Sequence, residues 1–581
     1  MKKQVIEYAA DFETNTTADG CAVNPVWAWG VATVGASTDE LFEYGTSIES
    51  FMRWAFDHPG RYWFHNAGFD TKFIISWLLT NGYKHTEGRE PGMGEFTLLM
   101  DSLGKFYHMQ ITNECSTFEI ADSYKKLPMT LANVAGAYGL EMTKGEIDYN
   151  AYREPGHILT ELELDYLRRD VLILAKALDH RFELGEKLTT GADCLAALKD
   201  LFGKRQWSVK FPELDPELDS ILRKAYRGGY VYANPLHVNK HLGEGGRIDV
   251  NSLYPFVMHD RCLPVGKPIL QPGKPVKSEN YPLWISEITF SAHLKNEKLP
   301  CIQVKGSLFF NAREYQADID EPITMMLTNV DWALINECYT IDVIAYGSTY
   351  YFRGVTGLFK EYVDAGMVGK MNAKSPGERM NWKLWLNNAY GKYAQKTKVR
   401  GKVPRLDSDG IVHYVMGDET ERKPVYLPVG IFVTAWARDY TIRTALKFGD
   451  RFIYSDTDSI HFIGTEIPSD IPIDSKKLGY WDLEAAFSDC VCLRAKTYAE
   501  AEYSHDKNGN LIVRPWAYTC AGMVEPLKQI MRIEDFHPGF TTDFEKCEGV
   551  PEIYRDKSKW KIVPQPVKGG VILVPRPFSI R

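Results

Sequence analysis

Hydrophobic and polar positions alternate over short runs and follow a helical period over longer ones, which predicts a chain that mixes strands and helices. The run VIEYAADFET near the N-terminus has the alternation of a strand. The segment 159–185, LTELELDYLRRDVLILAKALDHRFELG, predicts a long amphipathic helix. RIDVNSLYPFVM predicts a strand that runs into a turn, and no internal repeat or low-complexity tract is visible.

Two stretches break this pattern. Residues 263–282, LPVGKPILQPGKPVKSENYP, are rich in proline. Residues 399–424, VRGKVPRLDSDGIVHYVMGDETERKP, are polar and rich in turn-forming residues. We interpret both stretches as segments inserted into a larger framework.

A chain of 581 residues exceeds what one hydrophobic core usually supports, so we expect two to four domains. Its 44% hydrophobic and 25% charged residues are ordinary for a soluble globular protein. The N-terminus MKKQVIEYAADFE has no long apolar core after its lysines, and the longest nearly apolar run, 73–79, is far too short for a membrane span. The ten cysteines include no Cys-x-x-Cys pair, which argues against a zinc knuckle or a disulfide framework. We therefore expect a reduced, cytoplasmic protein with no membrane partner.

The net charge of −8 conceals two basic segments. Residues 370–402 contain nine lysines and arginines against one acid, and residues 555–581 contain seven against one. A polyanion such as nucleic acid would find two binding strips there. A merely solvated surface explains such runs equally well.

The stretch FIYSDTDSIHF, at 452–462, has strand character but carries two carboxylates one residue apart at its centre. Side chains alternate along an extended chain, so we expect Asp456 and Asp458 on one face. They would repel each other there unless a cation lay between them. Asp11 and Glu13 repeat this arrangement near the N-terminus.

Three further residues extend the N-terminal pair. Asp70 follows HNAGF, and Tyr166 and Asp170 are four residues apart in the predicted helix, hence on one face. Each acid taken alone is most often a solvated surface residue. Together, four carboxylates with a nearby tyrosine suggest two divalent cations and a positioned water, the apparatus that hydrolyses a phosphodiester.

The order and neighbours of these residues resemble the DEDD-type 3′ to 5′ exonuclease of family B DNA polymerases. The resemblance implies that the metal ions are held by Asp11, Glu13, Asp70 and Asp170, that Tyr166 orients the attacking water, and that Lys144 in TKGEIDY is an auxiliary catalytic lysine. It implies that a single-stranded 3′ end is bound by Thr14, His65, Asn66, Phe69 and Ser123. Tyr124 departs from the family, which usually has leucine at this DNA-contacting position.

RIDVNSLYP resembles motif A of the same family, and YSDTDS resembles its motif C, a β-hairpin. The resemblance implies that Asp249, Val250 and Asp458 bind two Mg²⁺ ions, with Mn²⁺ as a substitute, and that Asp456 is a supporting acid. The turn after Asp249, beginning at Val250, would offer backbone amides to the nucleotide triphosphate. Tyr254 would close the sugar pocket and exclude a 2′-hydroxyl by clash.

In RMNWKLWLNNAYG, steps of four, four and three residues place two cations, an amide and a ring on one helical stripe: Arg379, Lys383, Asn387 and Tyr390. Arginine, lysine and asparagine are poor core residues, so the stripe is not a packing face. It resembles motif B, in which these residues bind the incoming nucleotide. The sequence departs from the protein-primed subgroup of this family at two places. Asn388 and Ala389 stand where the subgroup usually has Ser-Leu, and Ser455 stands where it often has cysteine.

Two shorter matches concern DNA. Tyr226, Arg227, Gly228 and Gly229 resemble a Tyr-x-Gly-Gly motif, whose glycines let the backbone approach template phosphates. Lys496 and Tyr498 resemble a Lys-x-Tyr motif that steadies the primer terminus. Both sets are therefore expected to bind DNA.

Across essentially the whole chain, the motifs and their spacing resemble the protein-primed family B DNA polymerases of the phi-twenty-nine type. The implied fold class is α/β and α+β multidomain: an N-terminal RNase H-like DEDD exonuclease fused to a right-hand polymerase with two insertions. The implied domains are 1–189 exonuclease, 190–260 first palm part, 261–358 first insertion, 359–394 fingers, 395–427 second insertion, 428–530 second palm part and 531–581 thumb.

The resemblance also implies partners. These are a DNA template-primer, deoxynucleoside triphosphates, and a terminal protein that docks on the first insertion as a heterodimer and whose hydroxyl accepts the first nucleotide. The protein would otherwise be a monomer, in the cytoplasm of an infected bacterial host. The second insertion would close a ring around the template and give strand displacement and processivity without a clamp or helicase.

Three alternatives remain open. A stand-alone DNA-repair exonuclease needs only about the first 190 residues and leaves motifs A, B and C unexplained. A non-catalytic DNA-binding or priming accessory could lose carboxylates that are all present here. A reverse transcriptase also uses a palm with paired aspartates, but the exonuclease motifs and the motif B stripe speak against it.

Overall fold

The computed structural model describes residues 5–15, 23–35, 42–140, 147–148, 151–304, 315–505 and 511–581. Strands and helices mix along these ranges, as the sequence predicts. No helix within them combines the length and the apolar character needed to cross a bilayer.

The N-terminal module, residues 7–182, is a mixed sheet with helices on both faces. Its elements are β1 (Glu7–Thr14), β2 (Val26–Thr33), β3 (Phe42–Gly45), α1 (Ile48–Asp57), β4 (Arg61–Phe64), α2 (Asp70–Thr80), β5 (Lys84–His85), β6 (Glu95–Met100), β7 (Phe106–Thr112), β8 (Thr117–Asp122), α3 (Leu131–Ala137) and α4 (Glu161–Phe182). The strand order is β3-β2-β1-β4-β8-β7-β6-β5, with β1 antiparallel to β2 and parallel to β4. Alternation along β1 sends Phe12 to the core under α1 and α2, and Ala9 to the core under α3 and α4.

Strand β1 confirms the strand predicted from VIEYAADFET, and α4 confirms the helix predicted within 159–185. The start of α4 is fixed by a capping box, because the Thr160 hydroxyl accepts from the Glu163 N–H and the Glu163 carboxylate accepts from the Thr160 N–H. The buried face of α4 includes Tyr166 and Asp170, one turn apart. Both side chains are thereby turned toward the sheet.

The chain then enters the part predicted to hold motif A. Its elements are α5 (Thr190–Lys210), α6 (Pro216–Arg223), β9 (Val231–Ala233), β10 (Gly245–Val250) and α7 (Leu253–Asp260). The predicted strand is β10, but the predicted turn is only a left-handed step at Ser252 (φ 62°, ψ 61°), after which the chain continues as helix α7. Ordinary alternation could not show this step, because it depends on one residue in an unfavoured conformation.

The segment after α7 is mainly β-structure. Its elements are β11 (Cys262–Pro272), β12 (Leu283–Leu294), β13 (Ile302–Gln303), β14 (Tyr315–Gln316), β15 (Asp318–Thr328), α8 (Asn329–Cys338) and β16 (Tyr339–Thr356). The expectation that residues 263–282 interrupt the pattern is wrong for their first half, since β11 is a strand. It lies at the edge of the sheet β11-β16-β12-β15, where a proline without an N–H is tolerated.

Two hairpins follow, one helical and one of strands: α9 (Lys360–Asn372) with α10 (Pro376–Tyr393), and β17 (Lys398–Leu406) with β18 (Val412–Glu421). We call β17 and β18 the insertion hairpin. It packs on the N-terminal module through a bridge between Asp101 and Gly401 and through Val412, which joins the core under α1 and α2. The Lys72 Nζ lies 3.4 Å from the centre of the Tyr414 ring, a cation–π contact with α2.

The remaining elements are α11 (Leu427–Leu446), β19 (Phe452–Asp456), β20 (Ser459–Ile463), β21 (Trp481–Arg494), β22 (Thr497–His505), β23 (Leu511–Val513), β24 (Ala517–Cys520), α12 (Glu525–Lys528), β25 (Lys561–Val567) and β26 (Gly570–Arg576). The central sheet has the order β23-β22-β21-β10-β20-β19-β9, with β24 beside β22. The C-terminal hairpin of β25 and β26 returns to the N-terminal module. The Asn24 N–H donates to the Val571 carbonyl at 2.7 Å, and the Leu573 N–H donates to Asn24 Oδ1 at 2.8 Å.

Candidate active sites

The N-terminal module brings three of the predicted carboxylates together on the α4 side of its sheet. Ligand atoms of Asp11, Glu13 and Asp170 lie within 4.8 Å of one another. Asp70 is the first residue of α2 and is buried. Burial raises the pKa of Asp70 well above its usual value, and the charge of Asp11 raises it further. Carboxylates this close are favourable together only with a cation, so the donor set fits a divalent metal ion.

Most of the other residues predicted for the exonuclease lie close to these acids along the chain. Tyr166 is buried one turn before Asp170, on the same buried face of α4. Asn66 is exposed in the turn before α2 and has a positive φ of 62°, while Phe69 is half-buried against Phe73. Thr14 ends β1. Lys144 lies outside the described residues.

His65 and Ser123, both predicted to bind a DNA strand, contact each other. The His65 Nδ1 lies 2.9 Å from the Ser123 hydroxyl, and its Nε2 lies 2.7 Å from the Met129 carbonyl. Ser123 is buried and also donates to the Phe64 carbonyl at 3.1 Å. The pair therefore ties the loop before α2 to the loop after β8, and Tyr124 beside it is exposed.

The polymerase carboxylates lie at the end of β10 and in the turn between β19 and β20. Asp249 faces Ser459 across the ladder, and the Val250 N–H donates to the Asp458 carbonyl at 2.8 Å. Burial, and then the charge of Asp458, raise the pKa of Asp249 to about 8. Burial raises the pKa of Asp458 to about 6. Two carboxyls that resist ionising together are again suited to a divalent cation. The Val250 side chain is buried and has no ligand atom, so its part in such a site falls to its carbonyl.

Asp456 has a different partner. The chain reverses at Thr457, which has a φ of 66°, so simple alternation does not govern the two aspartates. The Lys496 Nζ lies 2.8 Å from Asp456 Oδ2 and supplies a positive charge there. The Lys496 N–H donates to the Tyr454 hydroxyl at 2.9 Å, and the Tyr498 ring packs edge-on against His461. Asp456 thus connects the hairpin to the Lys-x-Tyr segment.

Helix α10 carries the predicted nucleotide-binding stripe. Arg379 and Lys383 are exposed, and the positive charge of Lys383 acts to lower the pKa of both Asp249 and Asp458. The half-buried Tyr390 ring lies 4.1 Å from the Tyr254 ring, centre to centre. Asn387 is half-buried one turn earlier on the same helix.

The Tyr-x-Gly-Gly loop lies against both parts of this centre. The Tyr226 and Tyr390 hydroxyls are 3.4 Å apart. Added to Gly229, a Cβ would lie 2.7 Å from the Thr457 side chain, so only glycine fits beside motif C, whereas a Cβ at Gly228 would face open space. The Arg227 guanidinium is buried and donates to the Ala225 and Met326 carbonyls, so a DNA contact at this residue falls to its backbone.

Known DNA polymerases resemble this chain over almost its whole length. A family model described as DNA polymerase type B, organellar and viral, matches residues 53–159 and 152–476. The DNA polymerase of Bacillus phage B103 is 38% identical over 594 residues, and that of Bacillus phage phi29 is 37% identical, each match covering 99% of both chains. The chain belongs to the organellar and viral type B DNA polymerases. Its relatives include the phi29-type phage enzymes, as the sequence predicts.

Solved structures of the phi29 polymerase confirm the fold class of this viral polymerase. The orthorhombic crystal form superposes with a TM-score of 0.90 at 36% identity, and the complex with primer-template DNA and incoming nucleotide substrates with a TM-score of 0.89 at 36% identity. Each match covers 100% of both chains. The exonuclease fused to palm, fingers and thumb is therefore the architecture of this polymerase.

Two residues of this polymerase contact the candidate sites although the sequence did not predict them there. Lys370 donates to Asn251 Oδ1 at 3.3 Å, and its pKa is lowered by burial and then by Arg379 and Lys383. It had been counted only in a basic strip, because periodicity does not show how α9 packs on α10. Asp122 accepts from the Ala67 and Tyr124 N–H groups and so fixes both of the loops that the sequence predicts to bind DNA. The sequence did contain one signal for Asp122: it lies at the end of a strand, directly before the predicted DNA-binding residue Ser123.

Proposed function

We propose that this viral type B polymerase replicates DNA by template-directed synthesis on a primer-template, corrects its product with a 3′ to 5′ exonuclease, starts on a terminal protein and displaces the downstream strand. The observation that carries the proposal is the presence of two separate carboxylate centres in one chain. One is formed by Asp11, Glu13, Asp70 and Asp170 and the other by Asp249 and Asp458.

At the polymerase centre, Asp249 and Asp458 would hold Mg²⁺ with the Val250 carbonyl. When bound, two such ions lower the pKa of the primer 3′-hydroxyl and offset charge on the leaving pyrophosphate. Three cations of the fingers, Lys370, Arg379 and Lys383, would neutralise the triphosphate. The charge of Lys383 acts on both aspartates, Lys370 is bonded to Asn251, and Arg379 lowers the pKa of Lys370, which together support this role.

The sugar and base of the incoming nucleotide would meet the tyrosines. The Tyr254 ring is packed against Tyr390, which supports a role for Tyr254 in excluding a 2′-hydroxyl by steric clash. Tyr226, bonded to Tyr390, connects this pocket to the template loop. Lys496 and Tyr498 would steady the primer end beside motif C.

At the exonuclease centre, the four carboxylates would hold the same kind of ion, and Tyr166 would orient the attacking water. Asn66 and Phe69 shortly precede Asp70 in the chain and Thr14 follows Glu13, and they would bind a frayed single strand, with the contact between His65 and Ser123 fixing the loop before α2. Lys144 is proposed as an auxiliary catalytic lysine from the sequence alone. A paired terminus would stay at Asp249 and a mismatched one would reach Asp11.

Protein priming is proposed for the β-rich first insertion. Ile269, Leu270 and Ile344 are exposed on its strands, which supports a docking surface for a terminal protein. The test is incubation with a candidate terminal protein, labelled deoxynucleotide and Mg²⁺. Covalent labelling of that protein supports the assignment, and labelling unchanged in a Leu270→Asp/Ile344→Asp variant contradicts the surface.

Strand displacement is proposed for the insertion hairpin. Its bridge at Gly401 and the cation–π contact at Tyr414 support a fixed wall rather than a free arm. A Cβ at Gly401 would lie 2.6 Å from the Met100 carbonyl, so Gly401→Ala should loosen this wall. The C-terminal hairpin, docked at Asn24, would complete a ring around DNA.

The experiment is extension of a labelled primer on a circular single-stranded template with Mg²⁺ and four deoxynucleotides, without clamp or helicase. The wild type should give products much longer than the circle. Gly401→Ala should extend the primer but stop near one turn. Gly136→Ala is the matched control, because Gly136 is in a helix and its Cβ would meet no atom within 4 Å. Wild-type arrest after one turn would refute displacement.

A further inference from the structure

The back of helix α10 makes a buried polar contact with the N-terminal module. Asn381 lies two residues from both Arg379 and Lys383, and two residues turn an α-helix by about 200°, so its side chain points away from theirs. Asn381 is 2% exposed and Tyr138 is 7% exposed. The Tyr138 hydroxyl donates to Asn381 Oδ1 at 2.7 Å. Among the described residues, this hydrogen bond joins the exonuclease module to the nucleotide-binding helix.

Tyr138 is held in place from two other directions. It caps the C-terminus of α3, and its ring stacks on His180 of α4 with centroids 5.9 Å apart. The first turn of α10 crosses the ring at Gly377, where an added Cβ would come within 2.7 Å of it. The tyrosine is thus a rigid support, and α10 approaches it as closely as glycine allows.

We propose that Tyr138 is a positioning residue for the polymerase reaction: its hydrogen bond to Asn381 sets the rotation and height of α10, and hence the place of Arg379 and Lys383 over Asp249 and Asp458. The exonuclease module thereby contributes to nucleotide binding without touching the nucleotide. Small displacements of substrate-positioning groups have large kinetic effects, so one buried contact behind the helix suffices.

A purely structural role differs in what it predicts. A buried donor or acceptor that loses its partner is costly, whereas replacing both partners by apolar groups is nearly neutral. If the pair only adds stability, its removal lowers the unfolding midpoint and leaves the substrate constants unchanged. If the pair positions α10, its removal changes the KM for deoxynucleotides selectively, because the cations on the front of the helix bind the triphosphate.

The test compares Tyr138→Phe, Asn381→Leu and the double variant in single-nucleotide insertion on a primer-template. Each single change should raise the KM for the deoxynucleotide by about two- to tenfold, the effect of one hydrogen bond, with kcat changed less than about twofold. The double variant should be no worse than the poorer single variant, because it leaves no unpaired group. Tyr62→Phe is the matched control, a buried tyrosine of the same module whose hydroxyl bonds the His58 carbonyl away from α10.

Two results would overturn the proposal. One is a KM for deoxynucleotides that stays at the wild-type value in Tyr138→Phe, whatever happens to the urea midpoint. The other is a double variant whose KM increase equals the product of the two single increases, since independent sites would then be involved. Tyr138→Phe removes only one oxygen atom, so its KM for deoxynucleotides tests the proposal even if Asn381→Leu fails to fold.

Discussion

The paired carboxylates Asp249 and Asp458 predict strongly pH-dependent binding of divalent metal at the central sheet. Burial, followed by the charge of Asp458, raises the pKa of Asp249 to about 8, and burial raises that of Asp458 to about 6. Both values exceed the usual 3.8, so the metal-free folded protein holds more protons here than the unfolded chain. Its stability therefore falls as the pH rises from about 4 to about 8, and a bound cation reverses that loss.

The magnitude follows from the two pKa values. At pH 6, roughly 1% of Asp249 and roughly half of Asp458 are ionised. At pH 8, roughly half of Asp249 and nearly all of Asp458 are ionised. The doubly ionised pair therefore rises from roughly 0.5% to roughly 50% of the protein, about 100-fold. Metal affinity should rise by the same factor, about 2.7 kcal/mol, with release of about one proton at pH 7.

The assay is isothermal titration with Mg²⁺ at pH 6, 7 and 8, in two buffers of different ionisation enthalpy that together count the protons. Asp11→Ala with Asp70→Ala serves as the background, so that binding in the N-terminal module is suppressed. Asp458→Asn should make the profile shallower, because one of the two titrating carboxylates is gone and burial is then the main cause that raises the pKa of Asp249. Asp407→Asn, in the insertion hairpin, is the control. Affinity constant within about threefold from pH 6 to pH 8, or proton uptake, would refute the reasoning.

Three further outcomes are expected. Ser455 is buried and its hydroxyl has no hydrogen-bond partner in the described part of the chain, so Ser455→Ala should raise the free energy of unfolding by about 1 kcal/mol in urea; a loss would mean that a partner exists. The Arg438 guanidinium donates to the buried Asp331 carboxylate and to the carbonyls of the Tyr-x-Gly-Gly loop. Arg438→Met should therefore lower the free energy of unfolding in urea by about 3–5 kcal/mol, and a loss under about 1 kcal/mol would contradict the importance of this network. Tyr254→Val should raise ribonucleotide insertion relative to deoxynucleotide insertion at least about tenfold, and an unchanged ratio would remove the steric role.

Local sequence patterns were sufficient to predict the elements in which the helical repeat itself places the functional residues on one face. The stripe of α10 and the α4 face with Tyr166 and Asp170 follow from helical spacing, and the motif C hairpin follows from its acids and its resemblance. The family and fold class were also predicted, and the comparisons confirm them. The domain boundaries and the role of each site residue stay predictions.

What the sequence could not provide depends on contacts between distant segments. Lys370 reaches the site because α9 folds back on α10, and the buried state of Arg227 depends on the Met326 carbonyl. The Tyr138 contact joins residues 243 positions apart. The strand β11 was missed because prolines usually end strands, and only its place at a sheet edge makes them acceptable.

Separation of the two activities tests the central claim most directly, namely that two carboxylate centres divide synthesis and proofreading within one chain. Shortening of a labelled single strand and extension of a labelled primer are measured side by side for the wild type, Asp11→Ala/Asp70→Ala and Asp458→Ala. The first variant should lose shortening and keep extension, and the second should lose extension and keep shortening. Equal loss of both activities in either variant, in protein that unfolds at the wild-type urea concentration, would contradict the division.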